Sequence, residues 1–524
     1  MGVVSPLTLS AAFQATVERH PDRVALRTID DSERYTWRDY ADEVGRVARG
    51  LAALGVDRGD TVAMLLTNRP AFHIVDTAAL HLGATAVSVY PTLPPEDIAW
   101  TINDSGAKVV VTELAKLDSI RAAGVSVPIV LVDGRETGVI PFGDLDGDHD
   151  VQRAWRAVAP DDVAVIVYTS GTTGTPKGVE LTHAAVLGNT KGLHHAIGTV
   201  EGARVVSYLP MAHAAERQLS HYRAMVFGLE VTTCPDSRLM PEYLLAVRPH
   251  YFFAPPRMLA KFRAAAVGLD APILEHFGLD QAVVALTGSA PVPAELTQFW
   301  LDAGLPLVEA WGVTECGAFG AFGRPGSYRV GTCGPALPGV ELKVADDGEI
   351  LLRSPWLMRG YRNQPDATAE AIDPDGWLHT GDVGEFDDGH LRIIDRKKEI
   401  IINAAGKNMS PAHIEARLKE SDQLIGEAVV IGDNRPYNVA LVVPDPAVAS
   451  QLEGDLSRAI VEAMRRANAR LARVEQIKRI EILNEPWLPG GDELTPTMKL
   501  KRRAIHGKYA VTIDQIYAGG GIGI

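Results

Sequence analysis

Residues 168–183 read YTSGTTGTPKGVELTH. The apolar run at 163–167 just before them predicts a buried strand, and a helical pattern starts at Thr182, a residue suited to capping it. Between these lie Thr169, Ser170, Thr172 and Thr173, the glycines Gly171, Gly174 and Gly178, and one lysine, Lys177. Glycine lets the backbone approach an anion closely, and hydroxyl and free N–H groups donate to phosphate oxygens. Lys177 adds a positive charge. The stretch reads as a phosphate-binding turn from strand to helix, with a polar surface loop as the bland alternative. It is not the usual P-loop, which needs Gly-Lys followed by Ser or Thr; here Lys177 stands between Pro176 and Gly178.

Upstream of that turn the chain alternates. Strands are predicted at 61–66, 85–89 and 108–112, and helices at 9–19, 37–54, 70–82 and 95–103. Strand–helix alternation implies α/β architecture, with a parallel or mixed sheet covered by helices. Residues 143–150, GDLDGDHD, read as a loop. Downstream, a strand at 205–209 runs into PMAHAAER, which puts His213 just beyond a strand end, where α/β folds place ligand-facing residues. An ordinary loop histidine is the competing reading. Further strands are expected at 251–254 and 282–287. The second runs into the tight turn Gly288-Ser289-Ala290 before a helix at 293–303.

Residues 309–315 read EAWGVTE and follow a short strand at 306–308. The segment Glu309, Ala310, Trp311, Gly312, Val313, Thr314 suits an adenine slot: Trp311 can stack on a base, Gly312 lets backbone come close, and Thr314 can reach phosphate. Glu315 can hold magnesium, which takes one or two carboxylates together with phosphate oxygens. A strand end with a buried tryptophan is the plainer reading. Asp382, on a Gly-bounded turn in GWLHTGD, suits hydrogen bonds to both ribose hydroxyls.

Bulk properties bound the rest. At 524 residues the chain predicts more than one domain. With 66 acidic against 51 basic residues, net −15, it argues against a nucleic-acid partner. Cys234, Cys316 and Cys333 have no metal-like spacing and fit a reducing, cytoplasmic setting. No secretory signal and no transmembrane run is read: the apolar stretch 71–90 is broken by His73, Asp76 and His81. Peripheral membrane contact stays open, as does oligomeric state. His194-His195 is read as structural or exposed.

These motifs together resemble the adenylate-forming superfamily: acyl-CoA synthetases, aryl-CoA ligases, luciferases and peptide-synthetase adenylation domains. The resemblance runs from roughly residue 10 to 505 and rests on 168–183, 309–315, Thr380-Gly381-Asp382, IIDRKK at 393–398 and LTPTMKLKRR at 494–503. Trp311 stands where the family usually has Tyr, and Met498 where it often has Gly. The resemblance implies a large N-terminal domain, 1–394, a hinge at 395–398, and a small mobile α+β domain, 399–518. The tail 519–524, GGGIGI, is expected to be disordered. In the small domain, Ser410-Pro411 opens a helix, strands are expected at 428–431 and 439–443, and a long amphipathic helix at 452–474.

The function the resemblance implies is ATP-dependent activation of a carboxylic acid to acyl-AMP, then transfer to coenzyme A. Lys177 and the loop hydroxyls, Thr169 among them, would hold the β- and γ-phosphates with magnesium. Lys499 would meet charge at the α-phosphate, Arg396 would contact ribose or phosphate, and His213 would line the acyl pocket. Lys398 and Gly406 complete the expected nucleotide and coenzyme A contacts, Gly406 matching the glycine beside the pantetheine channel. DRKKEIIINAAGKNMSP, at 395–411, resembles the long-chain fatty acyl-CoA synthetase branch. Aryl or shorter acids, delivery to a carrier protein instead of coenzyme A, and a non-enzymatic nucleotide sensor are the alternatives.

Overall fold

The computed structural model describes residues 6–169, 176–266, 268–269, 271–495 and 498–524. Five of the expected phosphate contacts, Ser170, Gly171, Thr172, Thr173 and Gly174, lie outside the described residues.

The alternation at the start of the chain forms a parallel ladder. Thr61–Leu65 lies between Thr85–Ser88 and Ala107–Thr112, and Val163–Thr169 adds beyond Thr85–Ser88. Helices Pro70–His81 and Pro95–Ser105 make the crossovers. All of Thr61–Leu65 is buried, as expected of a strand covered on both faces. Among the described residues this sheet has eight strands.

At the edge of that sheet the structure corrects the reading of the 168–183 stretch. The turn does not pass from strand to helix. It joins two antiparallel strands, Val163–Thr169 and Lys177–Thr182. The helix, His183–Ile197, starts only after the second strand, with Thr182 accepting from the Ala185 N–H as its cap. The reason lies in the alternation KGVELT: Val179 and Leu181 are buried while Glu180 is not.

A second eight-stranded sheet carries Tyr251–Phe253, Val284–Gly288 and Leu307–Trp311 in parallel. Its strand ends deliver Gly288–Ala290 and Trp311–Glu315 side by side. A four-stranded antiparallel sheet pairs Leu378–Asp387 with His390–Arg396, which sets Asp382 opposite Arg396. One apolar core, from Leu9 to Leu391, joins these three layers.

The C-terminal residues have cores of their own. Ile401–Ile402 and Asn408–Met409 form a hairpin, and helix Pro411–Ser421 follows with Ser410 as its cap. The long helix expected at 452–474 is shorter: it spans Leu456–Asn468. Asp455 caps its start by accepting from the Arg458 N–H. Asn468 ends it by bonding both the N–H and the C=O of Ile477, which diverts the chain into the strand Ile477–Ile482. The expectation of a disordered tail is also corrected. Ile522–Gly523 pairs with that strand, and the Arg479 guanidinium donates to the carbonyls of Gly519, Gly520 and Gly521. Glycine count alone overstated the tail's freedom, because a single arginine gathers its carbonyls.

Candidate functional site

The site is built where strands end. Thr169 and Lys177 pair across the mouth of the hairpin, and the Thr169 hydroxyl donates to the Lys177 carbonyl at 3.4 Å. The Lys177 ammonium lies 4.7 Å from the centre of the Tyr361 ring. The Tyr361 hydroxyl in turn donates to Glu315 Oε1 at 2.7 Å. Burial, then the Glu315 charge, hold the Tyr361 phenol above its usual pKa, so it stays a donor. The Glu315 carbonyl accepts from the Met358 N–H at 2.7 Å, which ties its backbone down.

The neighbouring strand end carries the 309–315 segment. Gly312 packs so closely that a Cβ there would stand 2.1 Å from the Ala318 carbonyl oxygen, so only glycine fits. Gly288 registers with Ala310, and Ser289 and Ala290 are exposed beyond it. The Glu309 carboxylate is taken up inside the fold by Thr297, at 3.3 Å, and by the Tyr328 hydroxyl. Burial raises its pKa to about 7. At that position the segment therefore offers backbone rather than a charge. Val313 is buried, and Thr314 opens the turn that carries Glu315.

Trp311 does more than present a face. Its indole Nε1 donates to Asp382 Oδ2 at 2.7 Å, while Arg396 Nε meets Asp382 Oδ1 at 2.6 Å. Burial raises the Asp382 pKa above the usual carboxylate range; Arg396, Trp311 and Lys499 pull it back.

Lys499 reaches this group from the other end of the sequence. It is open to solvent, yet surrounding protein first, and Arg396 second, hold its ammonium below its usual pKa, with Asp382 and Glu399 opposing. Lys499 also acts on His213. Burial, then the Lys499 charge, lower the His213 pKa to about 4, so the ring is neutral at pH 7. Its Nδ1 accepts from the Ala215 N–H at 3.3 Å, which leaves the ring proton on Nε2.

The structure thus joins Trp311, Asp382 and Arg396, with the Lys499 charge acting on Asp382 and His213, and it brings Lys177 and Glu315 to Tyr361, with Thr169 paired to Lys177. Two expected residues stand apart. Lys398 is exposed, and it is its neighbour Lys397 that pairs, with Asp347 and Glu349. Gly406 is exposed at the tip of the small hairpin, with φ +72°.

Sequence reading missed Tyr361, in the stretch GYRNQPDAT at 360–368; nothing in those residues says that its hydroxyl reaches Glu315. It also missed the buried cluster under the His213 loop. There Asp76 pairs with Arg217 and with His221 Nε2 at 2.8 Å, and His221 Nδ1 meets His73 Nδ1 at 2.9 Å. Burial pushes the Asp76 pKa up, but Arg217 and His221 together outweigh it and hold it low. His73 and Asp76 had served only as interruptions of an apolar run.

Comparison with known proteins gives the family. A family model described as AMP-binding enzyme matches residues 13–362, and one described as AMP-binding enzyme C-terminal domain matches residues 398–520. A putative fatty-acid–CoA ligase, fadD11, of Mycobacterium tuberculosis (strain ATCC 25618 / H37Rv) is 41% identical over 453 residues, covering 73% of this chain and 79% of its own. The long-chain-fatty-acid–CoA ligase FadD15 of Mycobacterium bovis is 31% identical over 578 residues, covering 95% of each. Among solved structures, a Mycobacterium tuberculosis fatty acyl CoA synthetase superposes with TM-score 0.67 at 27% identity, covering 97% of this chain and 99% of that one. An anthranilate CoA ligase, AuaEII, in complex with anthranoyl-AMP gives TM-score 0.80 at 22% identity over 96% and 98% of the two chains, a likeness of fold.

Proposed function

This chain belongs to the AMP-binding enzymes, and on that premise we propose that it joins a fatty acid to coenzyme A through an acyl-adenylate. It is an AMP-forming acid–thiol ligase, in keeping with relatives named fatty-acid–CoA ligases, and it uses ATP, magnesium and coenzyme A. In the first step a carboxylate oxygen attacks the α-phosphorus of ATP, and the bond to pyrophosphate breaks. In the second the coenzyme A sulfur attacks the acyl carbon, AMP leaves, and the thiol proton passes to solvent.

The observation that carries this reading is the joining of Trp311, Asp382 and Arg396 by hydrogen bonds, with Lys499 near enough for its charge to act on Asp382 and His213. Residues more than a hundred positions apart converge, and each type suits one part of an acyl-adenylate. Asp382 offers acceptors for ribose hydroxyls. Lys499 and Arg396 offer positive charge near the α-phosphate, and preorganised charge of this kind is a large catalytic term. Neutral His213, with its proton on Nε2, suits the rim of an acyl pocket. Lys177 and Thr169 face the phosphate side. Glu315 is the carboxylate that would hold magnesium, which supplies charge neutralisation at the phosphates.

Residues 1–394 and 399–518 are proposed as two domains joined by a hinge at 395–398, with the second swinging between the two steps. The three free thiols, Cys234, Cys316 and Cys333, suit a cytoplasmic setting. Among the described residues, no helix is long and apolar enough to cross a membrane.

The test is acid-dependent exchange of labelled pyrophosphate into ATP across a panel from acetate and benzoate to long-chain fatty acids. Thioester assays with coenzyme A as sole acceptor follow. Each buried methylene is worth about 0.8 kcal/mol, so kcat/KM should climb with chain length until the pocket is full. A maximum at short or aromatic acids overturns the fatty-acid reading. Exchange without thioester points to a carrier-protein acceptor. No exchange with any acid overturns the reaction itself.

A further inference from the structure

Gly360–Tyr361 is a short strand that adds to the edge of the hairpin carrying Lys177. Tyr361 registers with Val179 and Gly360 with Glu180. The flanking contacts hold it there firmly. The Tyr361 N–H donates to Thr368 Oγ1 at 2.9 Å, and the Arg362 N–H donates to the Gly178 carbonyl at 2.7 Å. Arg362 Nη1 also pairs with Glu180 at 3.1 Å. The Tyr361 main chain is therefore fixed on both sides. From that place its face meets the Lys177 ammonium at 4.7 Å and its hydroxyl meets Glu315 at 2.7 Å.

We propose that Tyr361 is the positioning residue that holds Lys177 and Glu315 apart and aims each at its own part of a magnesium–triphosphate. The inference rests on the reading of the site as an ATP site. Its logic is electrostatic. A lysine and a glutamate this close to one residue would otherwise pair, each cancelling the charge the other needs. Among the described residues no ion pair joins them. The ring's negative face holds the ammonium without neutralising it. The hydroxyl, a neutral donor, takes one acceptor site of Oε1 and fixes the carboxylate plane. Among the described residues no other hydrogen bond or ion pair engages the carboxylate, which leaves Oε2 for a divalent cation. Among the described residues the Lys177 ammonium makes no ion pair, which leaves it for phosphate oxygens.

The two contacts separate by mutation. Tyr361→Phe keeps the ring and removes the hydroxyl; Tyr361→Leu removes both. Calorimetric titration of ATP, without acid, is run with and without magnesium, beside the pyrophosphate-exchange assay. Tyr361→Phe should bind ATP without magnesium as the wild type does, but should need about tenfold more magnesium for half-maximal binding and exchange, the loss expected for one hydrogen bond to a charged group. Tyr361→Leu should in addition lose about two- to fivefold in magnesium-free ATP affinity. In a Glu315→Gln background, Tyr361→Phe should add no further change. The KM for the acid should not move in Tyr361→Phe. A wild-type magnesium dependence in Tyr361→Phe overturns the proposal. So does an equal loss toward ATP and acid, which marks a merely structural side chain. If the wild type exchanges no pyrophosphate with any acid, the proposed reaction fails while the magnesium dependence of ATP binding still decides the role of Tyr361.

Discussion

The indole N–H of Trp311 donates to Asp382 at 2.7 Å, across two different sheets. A tyrosine at position 311 has no N–H on its ring to offer there. Trp311 thus fixes the orientation of the Asp382 carboxylate, besides the flat face proposed for a base. With Arg396 on the other oxygen, Asp382 is held from both sides.

Trp311→Phe separates the tasks. It keeps an aromatic face and removes the N–H, so Asp382 loses one of its two tethers. Hydrogen bonds to charged groups contribute roughly 1.5–3 kcal/mol. The KM for ATP in pyrophosphate exchange should rise about tenfold, with a smaller change in kcat. Trp311→Ala should be worse still. A Trp311→Phe enzyme with wild-type KM for ATP would show that the stacking face is all that matters at this position.

Much of this arrangement was legible in the sequence, and the gaps have physical causes. The parallel ladder was readable because helix and strand periods alternate cleanly from residue 61 to 112. The hairpin at 163–182 was not, because six residues of alternation beside a glycine-rich turn look much like a loop entering a helix. Asp382, Glu315 and Lys499 could be named from local residue types and family resemblance. Their partners could not. Trp311 and Asp382 are 71 positions apart, and Tyr361 and Glu315 are 46 apart. Side-chain reach between sheets leaves no periodic trace. The ion cluster of Asp76, Arg217 and His221 was hidden for the same reason.

Glu309 predicts a pH dependence of stability. Burial raises its pKa from 4.5 to about 7. A raised carboxyl pKa means that the folded state binds the proton more tightly than the unfolded state. Below pH 4.5 both states are protonated and nothing is lost. Between pH 4.5 and about 7 the unfolded state has released its proton and the folded state has not, so stability falls with rising pH. Above about 7 the loss is complete, on the order of 3 kcal/mol. Glu309→Gln removes the titration. Its melting temperature relative to wild type should therefore climb between pH 5 and pH 8. A constant difference across that range would show that Glu309 does not titrate there.

Gly406 tests the coenzyme A route. Its φ of +72° strains any L-residue, but a Cβ there meets nothing within 4 Å, so bulk is tolerated in this arrangement. Asn accepts positive φ better than Leu does. Gly406→Asn and Gly406→Leu should both fold, and both should keep pyrophosphate exchange. If the turn swings to border the pantetheine arm, Gly406→Leu should slow conversion of supplied acyl-AMP to thioester by about tenfold or more. Equal losses in both half-reactions, tracking a lowered melting temperature, would leave Gly406 as a turn residue only.

Lys499 gives the sharpest division between the half-reactions. Its turn is held locally: the Lys499 N–H donates to Thr495 Oγ1 at 3.0 Å, and the Thr495 N–H donates to the Lys499 carbonyl at 2.8 Å. Met498 before it has φ +65°, the left-handed conformation that favours glycine. Arg502 after it is committed elsewhere, to Glu415 at 2.6 Å and Glu399 at 3.1 Å. The basic residues here are therefore not equivalent: Arg502 fastens the segment, while the Lys499 charge acts on Asp382. Lys499→Ala should slow acyl-AMP formation on the order of 100- to 1000-fold, the usual worth of one preorganised donor. It should leave thioester formation from supplied acyl-AMP near wild type, because the swing proposed for residues 399–518 carries Lys499 away. Arg503→Ala, an exposed neighbour, should change neither step and controls for general surface charge. Equal loss in both steps would make Lys499 a fixed site residue and remove the case for a swing. No loss in either would make it surface charge.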